Sequence, residues 1–378
     1  MPDVITEKRG GLSRLSNSLV ALVLGPVLIV GAIALLWWNE GRAVQATLGL
    51  NEAASQVVEA DASGPSPGNA GKLVHVIGPA TASDGIDDPA VGTSFTGQVT
   101  VARIAEMYQW DEDSDDNDNT TTYTYNRVWS DRAIDSSGFH YPDGHQNPDM
   151  PFFSTRASAP DARLGGWPLD DGTLDRIDLA QDLKATPPPG WKPSDNYLYR
   201  GDPGTPKIGD MRVRYQGLPS GTTISVLAQQ SSGGFAAYTA SNGYSVELAA
   251  IGNHTAADLI QHQRQVEALT TWILRGVGWL LIFAGFAAFM APLSAIASFV
   301  PILGGLVRGA VGGFAFVLSV PVTVVVIALA WIFYRPLLGG GLLLVAALLA
   351  GGLWLWHHRR TAARVATAAA PPAEQAPA

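Results

Sequence analysis

No cysteine occurs among the 378 residues, which excludes disulfides, thiolate metal sites and cysteine nucleophiles and leaves the redox state of the compartment unread. Basic residues are the scarcer charge, with 24 Lys and Arg against 33 Asp and Glu, and 30 of the acidic residues fall between Asn39 and Thr270. Nucleic acid is therefore not an expected partner, because binding it calls for a basic stripe that displaces counterions. Charge of either sign is missing altogether from three long runs, between Arg275 and Arg308, between Arg308 and Arg335, and between Arg335 and Arg359. Also missing are a Ser-His-Asp order, a Gly-rich phosphate loop and a compelling two-carboxylate pattern, so the motifs point to no enzyme and no cofactor.

What is present is long apolar sequence. A helical crossing of the hydrocarbon core takes roughly 20 mostly apolar residues. The charge-free runs therefore predict spans at Thr271 to Pro292, Gly309 to Tyr334 and Pro336 to Trp356, and a further span at Ser18 to Trp38. The expected fold is an α+β membrane protein: four transmembrane helices, with a large β-rich extramembrane domain, residues 39–270, inserted between the first and the second. Residues 1–17 and the tail 357–378 are expected in the cytoplasm, and 293–308 as a cytoplasmic or re-entrant loop. The positive-inside bias carries that assignment: Lys8, Arg9 and Arg14 precede the first span, Arg308 lies between the second and third, and Arg359, Arg360 and Arg364 follow the last. The large domain would then face the periplasm or a lumen. Trp38, Arg42, Trp272, Arg275, Tyr334 and Arg335 stand at the expected span ends, where amphipathic side chains anchor in the headgroup layer. A cleaved signal peptide ending near Val44-Gln45-Ala46 is the rival reading of the first span, but the apolar run is longer than the roughly 7–15 residues of a signal core.

Within the large domain, Asp61 to Ala70 reads as a polar linker. Gln98 to Trp110 and Thr121 to Trp129 read as a hairpin around the acidic loop Asp111 to Asn119. Asp171 to Leu183 has helical spacing, and further strands are expected at 197–199, 210–215, 222–229 and 244–249. A faint internal echo suggests a duplication with lobes at 71–160 and 190–253. A helical lead, 254–270, follows, opened by a capping box of Thr255 and Asp258, and should continue into the second span.

Several residues could carry more than structure. Asp111, Asp113 and Asp115 offer clustered oxygens to a calcium ion, but Asp116 at the sixth loop position and Thr122 at the twelfth do not fit an EF-hand. A solvated hairpin tip is the plainer account. His75, His140 and His145 could contribute to a zinc site, yet their spacing matches no standard arrangement, so no metal is expected. Gly305, Gly309 and Gly313 form two consecutive GxxxG steps, which let helices approach closely either within the bundle or between copies. No ionisable residue stands at the centre of a span, which argues against a coupled transporter.

A series of local motifs runs nearly the length of the chain: Trp38-Asn39-Glu40-Gly41-Arg42-Ala43-Val44, Gly71-Lys72-Leu73-Val74-His75, Asp88-Pro89, Glu106-Met107-Tyr108-Gln109-Trp110, Tyr123-Thr124-Tyr125-Asn126, Gly144-His145-Gln146-Asn147-Pro148, Gly209-Asp210-Met211-Arg212-Val213, Trp272-Ile273-Leu274-Arg275 with Gly278-Trp279, and Phe333-Tyr334-Arg335-Pro336. In these motifs the chain resembles the LUMA (transmembrane protein 43) family. The resemblance implies a four-span protein that self-associates and organises membrane protein complexes, and it supplies no catalytic residue to carry over. The Ala- and Gly-rich, cysteine-free composition leans toward a bacterial member in the cytoplasmic membrane, with the endoplasmic reticulum or inner nuclear membrane as the eukaryotic counterpart. The expected function is a non-enzymatic membrane scaffold whose partners are the bilayer, further copies of itself and other membrane proteins. An ion-conducting or transport subunit is the alternative, and a metal-dependent ectoenzyme the third reading.

Overall fold

The computed structural model describes residues 3–8, 11–117, 120–293 and 301–336. The described residues fall into a large unit, 3–8, 11–20, 45–117, 120–270 and 301–304, and a helical unit, 21–44, 271–293 and 305–336. The helices are α1 Gly11–Gln56, α2 Asp171–Leu174, α3 Ala256–Phe289 and α4 Pro301–Tyr334. The strands begin with β1 Asp3–Lys8, β2 Val58–Glu59, β3 Leu73–Thr81, β4 Ile86–Asp88, β5 Thr93–Phe95, β6 Gln98–Asn117, β7 Thr120–Ser130, β8 Thr155–Ser158, β9 Arg163–Leu164 and β10 Trp167–Pro168. They continue with β11 Gln181–Leu183, β12 Lys192–Ser194, β13 Tyr197–Arg200, β14 Met211–Pro219, β15 Thr222–Ser231, β16 Gly234–Ala236, β17 Tyr238–Thr239, β18 Ser245–Val246 and β19 Leu248–Ile251.

Among the described residues, three helices are long and apolar enough to cross a membrane: Leu19–Gln56 within α1, α3, and Gly309–Tyr334 within α4. The expected fourth span, 336–356, lies outside the described residues apart from its first. In α3 the expected capping box forms, with Asp258 N donating to Thr255 Oγ1 at 3.2 Å and Thr255 N donating back to the Asp258 carboxylate at 3.0 Å. From this cap the helix runs unbroken into the apolar stretch. In the helical unit, Ala32 and Leu36 of α1, Ile282 of α3 and Val326 of α4 form a small buried core.

In the large unit an eight-stranded sheet runs β1-β7-β6-β14-β13-β12, with β8 paired to β6 and β11 to β14. A seven-stranded sheet runs β10-β9-β3-β15-β16, with β19 on β15 and β2 on β3. One core, including Val76, Val99, Trp167, Leu218, Ile224 and Phe235, draws on strands of both sheets. Another is built on the larger sheet around Met107, Met211, Val213 and Tyr215. Leu50 and Ala53 of α1, Leu259 and Ile260 of α3, and Leu73 and Leu227 form the third.

Four expectations change. The acidic loop is mostly strand: Asp111–Asn117 pairs residue for residue with Thr120–Asn126. Alternation sends successive carboxylates to opposite faces, so the run tolerates extended structure. The amphipathic helix over 171–183 stops at Leu174, because 181–183 pairs with β14 instead, while Leu174, Ile177 and Leu179 still reach the core. The segments 71–160 and 190–253 do not form separate lobes. β14 pairs with β6 and β15 with β3, so each half fills a sheet that the other would have left with an open edge. Finally, part of the tail 1–17 is a strand: Asp3–Lys8 pairs with Tyr125–Thr120 of β7, whose outer edge would otherwise present unpaired backbone groups.

Candidate functional site

In the helical unit a polar clamp closes at the end of the first apolar run. Trp37-Trp38-Asn39-Glu40-Gly41-Arg42 is a continuous turn and a half of α1, so alternate members of it face different neighbours. Glu40 turns inward and is 2% exposed. Its carboxylate accepts Arg275 Nε at 2.7 Å and Arg275 NH2 at 2.9 Å, a bidentate pair, and Trp331 Nε1 of α4 at 2.8 Å. The Arg275 guanidinium also lies 4.8 Å from the Trp272 ring centroid and 5.8 Å from that of Trp331. One carboxylate thus ties three helices together through charge-assisted hydrogen bonds. Beside it, buried Asn39 donates to the Thr271 carbonyl at 3.1 Å, and Arg42 donates to Thr271 Oγ1 at 3.1 Å. Gly41 leaves room for the Tyr334 ring, since a Cβ there would meet it at 2.7 Å. Trp37 packs on Phe333 and Tyr334 at 5.4 and 5.9 Å between centroids.

These contacts locate the residues expected at the membrane interface. Trp38 and Trp272 are 57% and 67% exposed. Arg275 and Arg42 instead turn toward neighbouring helices, Tyr334 covers Gly41, and Arg335, just past the end of α4, donates its backbone N–H to the Trp331 carbonyl. Glu40 escaped the sequence reading as a site. Its signal was a carboxylate at the end of an apolar run, which is costly without a partner.

Among the described residues close helix approach occurs at Gly25, Gly278 and Gly285. A Cβ on Gly25 would lie 2.6 Å from the Gly285 carbonyl oxygen, and one on Gly285 would lie 2.6 Å from Ile29 Cγ1 and 2.9 Å from the Gly25 carbonyl oxygen. Gly278, seven residues before Gly285 on the same face of α3, accommodates Leu36 in the same way. Among the described residues nothing lies within 4 Å of a Cβ added at Gly309 or Gly313, and the surroundings of Gly305 lie outside the described residues. Gly285→Leu is accordingly expected to lower stability by about 1–3 kcal/mol through overpacking, and Gly309→Leu to leave the monomer's stability unchanged, both read from thermal unfolding in detergent.

The large unit disperses the candidate metal ligands. His75 is buried on β3, its Nδ1 2.7 Å from Glu59 and its Nε2 3.0 Å from the His254 carbonyl oxygen. His140 stacks on Tyr123 at 4.2 Å and faces Glu7 at 3.4 Å. His145 stacks on Tyr125 at 3.8 Å and faces Asp3 at 3.3 Å. Both imidazoles thus meet carboxylates of β1. Asp113 accepts from Asn126, and the hydroxyl of Tyr125 donates to Glu112 at 2.5 Å. Burial first, and then Glu112, pushes the Tyr125 hydroxyl up to about 12. Asp111 and Asp115 lie opposite Asn126 and Thr122 along the hairpin. Among the described residues no group of three or more His, Asp or Glu is placed to hold a metal ion.

A second buried polar network was not legible in the sequence. Arg103 pairs with Asp88 and donates to the Phe153 carbonyl, and Tyr215 donates to Asp88 at 2.8 Å while accepting from Thr93 at 3.1 Å. Asp88, Arg103 and Tyr215 of this network line a cavity of about 300 Å³ together with Ile86, Phe95 and Val101. Burial is the main cause raising the Tyr215 hydroxyl. Every partner here is internal, and the network ties the short β4–β5 hairpin to the large sheet.

Comparison with known proteins adds an independent finding. The profile of a family described as Transmembrane protein 43 matches residues 107–336. Transmembrane protein 43 of Mus musculus is 30% identical over 354 residues, covering 87% of this chain and 88% of that protein. The Rattus norvegicus protein is 31% identical over the same shares, and the Transmembrane protein 43 homolog of Drosophila melanogaster is 29% identical over 83% of this chain and 89% of its own. No solved structure matches the chain.

Proposed function

Starting from the fact that the chain belongs to the transmembrane protein 43 family, we propose that it is a non-enzymatic multi-pass membrane scaffold that self-associates and presents its β-rich unit to other membrane proteins. The observation that carries this reading is the continuity of two helices. α1 supplies Leu50 and Ala53 to the core of the large unit and Ala32 and Leu36 to the core of the helical unit, and α3 supplies Leu259 and Ile260 to the first and Ile282 to the second. Each of these two helices thus belongs in part to the β-rich unit and in part to the apolar helical unit. The charge bias of Arg308, Arg359, Arg360 and Arg364 supports a cytoplasmic C-terminal tail and a large unit on the periplasmic or lumenal side.

Gly309 and Gly313, which meet no described residue closely, supply the route to self-association. With nothing within 4 Å of Gly309 and Gly313, that face of α4 is free for a second copy among the described residues. Crosslinking in native membranes is expected to give species above the monomer together with co-purifying membrane proteins. Gly309→Leu with Gly313→Leu should lower the oligomer fraction several-fold. A wild-type protein that stays monomeric and brings down no partner would refute the scaffold reading.

A further inference from the structure

The large unit contains a groove of about 690 Å³ between β18–β19 and the first turns of α3, with the end of α1 closing one side. Its volume falls in the range of small-ligand sites, roughly 300–1,000 Å³. Leu50, Val246, Leu259 and Val266 give it an apolar wall. Charge is confined to other lining positions and carries both signs, Arg176 on the one hand and Asp178 and Glu247 on the other, with the imidazole of His262 as a further polar group. Arg176, 56% exposed at its side chain, approaches Glu247 only to 3.9 Å, and Glu247 takes a better bond from Thr173 Oγ1 at 3.0 Å. The guanidinium therefore keeps donor capacity for an incoming anion.

The apolar wall does not end at the groove. Leu259, His262, Val266, Leu269 and Ile273 follow one another at steps of three and four residues, so they share one face of α3. Val266, Leu269 and Ile273 are 42%, 63% and 56% exposed. The stripe thus leads from the groove into the apolar stretch that begins at Thr271, a distance of about 8 Å along the helix from Val266. A ligand lying along this stripe needs an apolar segment, while Arg176 and Asp178 in the groove suit a charged end.

We infer that the groove binds a single-chain zwitterionic phospholipid, with its acyl chain along Leu259 and Val266, its phosphate at Arg176 and His262, and its quaternary ammonium toward Asp178 and the Tyr244 ring. Tyr244 and Asp178 both line the groove, and an aromatic ring attracts a quaternary ammonium. The site rests on the membrane-protein reading but is independent of the scaffold proposal, since lipid binding is measured on isolated protein without partners.

The test uses the full-length protein in detergent micelles with a palmitoyl lysophosphatidylcholine spin-labelled on its acyl chain. A saturable immobilised fraction is expected, near one label per chain. Val266→Trp, which fills the groove from a partly exposed position, should weaken binding at least tenfold with unchanged thermal stability. Arg176→Glu should weaken the phospholipid several-fold while leaving an uncharged spin-labelled monoacylglycerol unaffected. Non-saturable partitioning, equal binding by wild type and Val266→Trp, or a preference for the diacyl phosphatidylcholine would each overturn the assignment.

Discussion

Glu40→Ala is expected to destabilise the helical unit by about 3–5 kcal/mol, the usual cost of stranding one member of a buried ion pair. Arg275 would keep its desolvation penalty without a counter-charge, and Trp331 would lose the acceptor for its indole N–H. Both charges are well sheltered, with side chains 2% and 16% exposed, so salt screens the pair little and high ionic strength will not mimic the substitution. Thermal unfolding of the detergent-solubilised protein reads the loss, and Arg275→Ala should match it. Glu40→Gln keeps an acceptor for Trp331 but not the charge, and falls between. The double change Glu40→Leu with Arg275→Met removes both charges, and should recover most of the stability that either single change loses, less about 1–3 kcal/mol for the unpaired indole. A Glu40→Ala protein as stable as the wild type would show that the clamp contributes nothing to the packing of the three helices.

Cysteine labelling is expected to give an all-or-none answer on sidedness. With no native thiol, a single introduced cysteine is the only one to react. Ser232→Cys, on the exposed turn between β15 and β16, marks the large unit, Ala370→Cys the C-terminal tail and Thr6→Cys the N-terminal strand. Two features compete for Thr6. Its pairing with Thr122 places it with the large unit, whereas a crossing by the apolar part of α1 places it on the opposite face.

Magnitudes decide between them. Leu19, Val20, Val23, Leu24, Val27 and Val30 are each 50–67% exposed, and burying such side chains is worth on the order of 1–2 kcal/mol apiece. An edge strand gains about 0.5–1.5 kcal/mol per hydrogen bond and loses about 1–2 kcal/mol per ordered residue, so its net worth is near zero. The crossing should win in a bilayer, where the pairing of Asp3–Lys8 with β7 is then given up. Thr6→Cys and Ala370→Cys are then labelled from one face by an impermeant maleimide, and Ser232→Cys from the other. Labelling of Thr6→Cys together with Ser232→Cys would mean that β1 stays on β7 and that α1 does not cross.

How much of this was legible beforehand differs residue by residue. The apolar runs at 271–292 and 309–334 could be read because the absence of charge over one helical crossing is visible in a single dimension. The box of Thr255 and Asp258 was legible for a similar reason, since donor and acceptor stand three residues apart. The hairpin of β6 and β7 announced itself through two β-rich runs joined by a short polar segment, although its strands extend further into the acidic stretch than composition suggests.

Sequence alone thus determined that the chain is a membrane protein with a β-rich body, where its long helices run, and that no thiol chemistry is open to it. Tertiary structure decided the partners. Glu40 meets Arg275 across 235 positions, Gly25 meets Gly285, β6 takes β14 and β3 takes β15. Periodicity reports which face of an element is apolar, but it carries no address for the face that will cover it. Two residues far apart in the chain become neighbours only when whole helices and sheets settle their register, and that choice is made by packing and hydrogen-bond satisfaction summed over the fold.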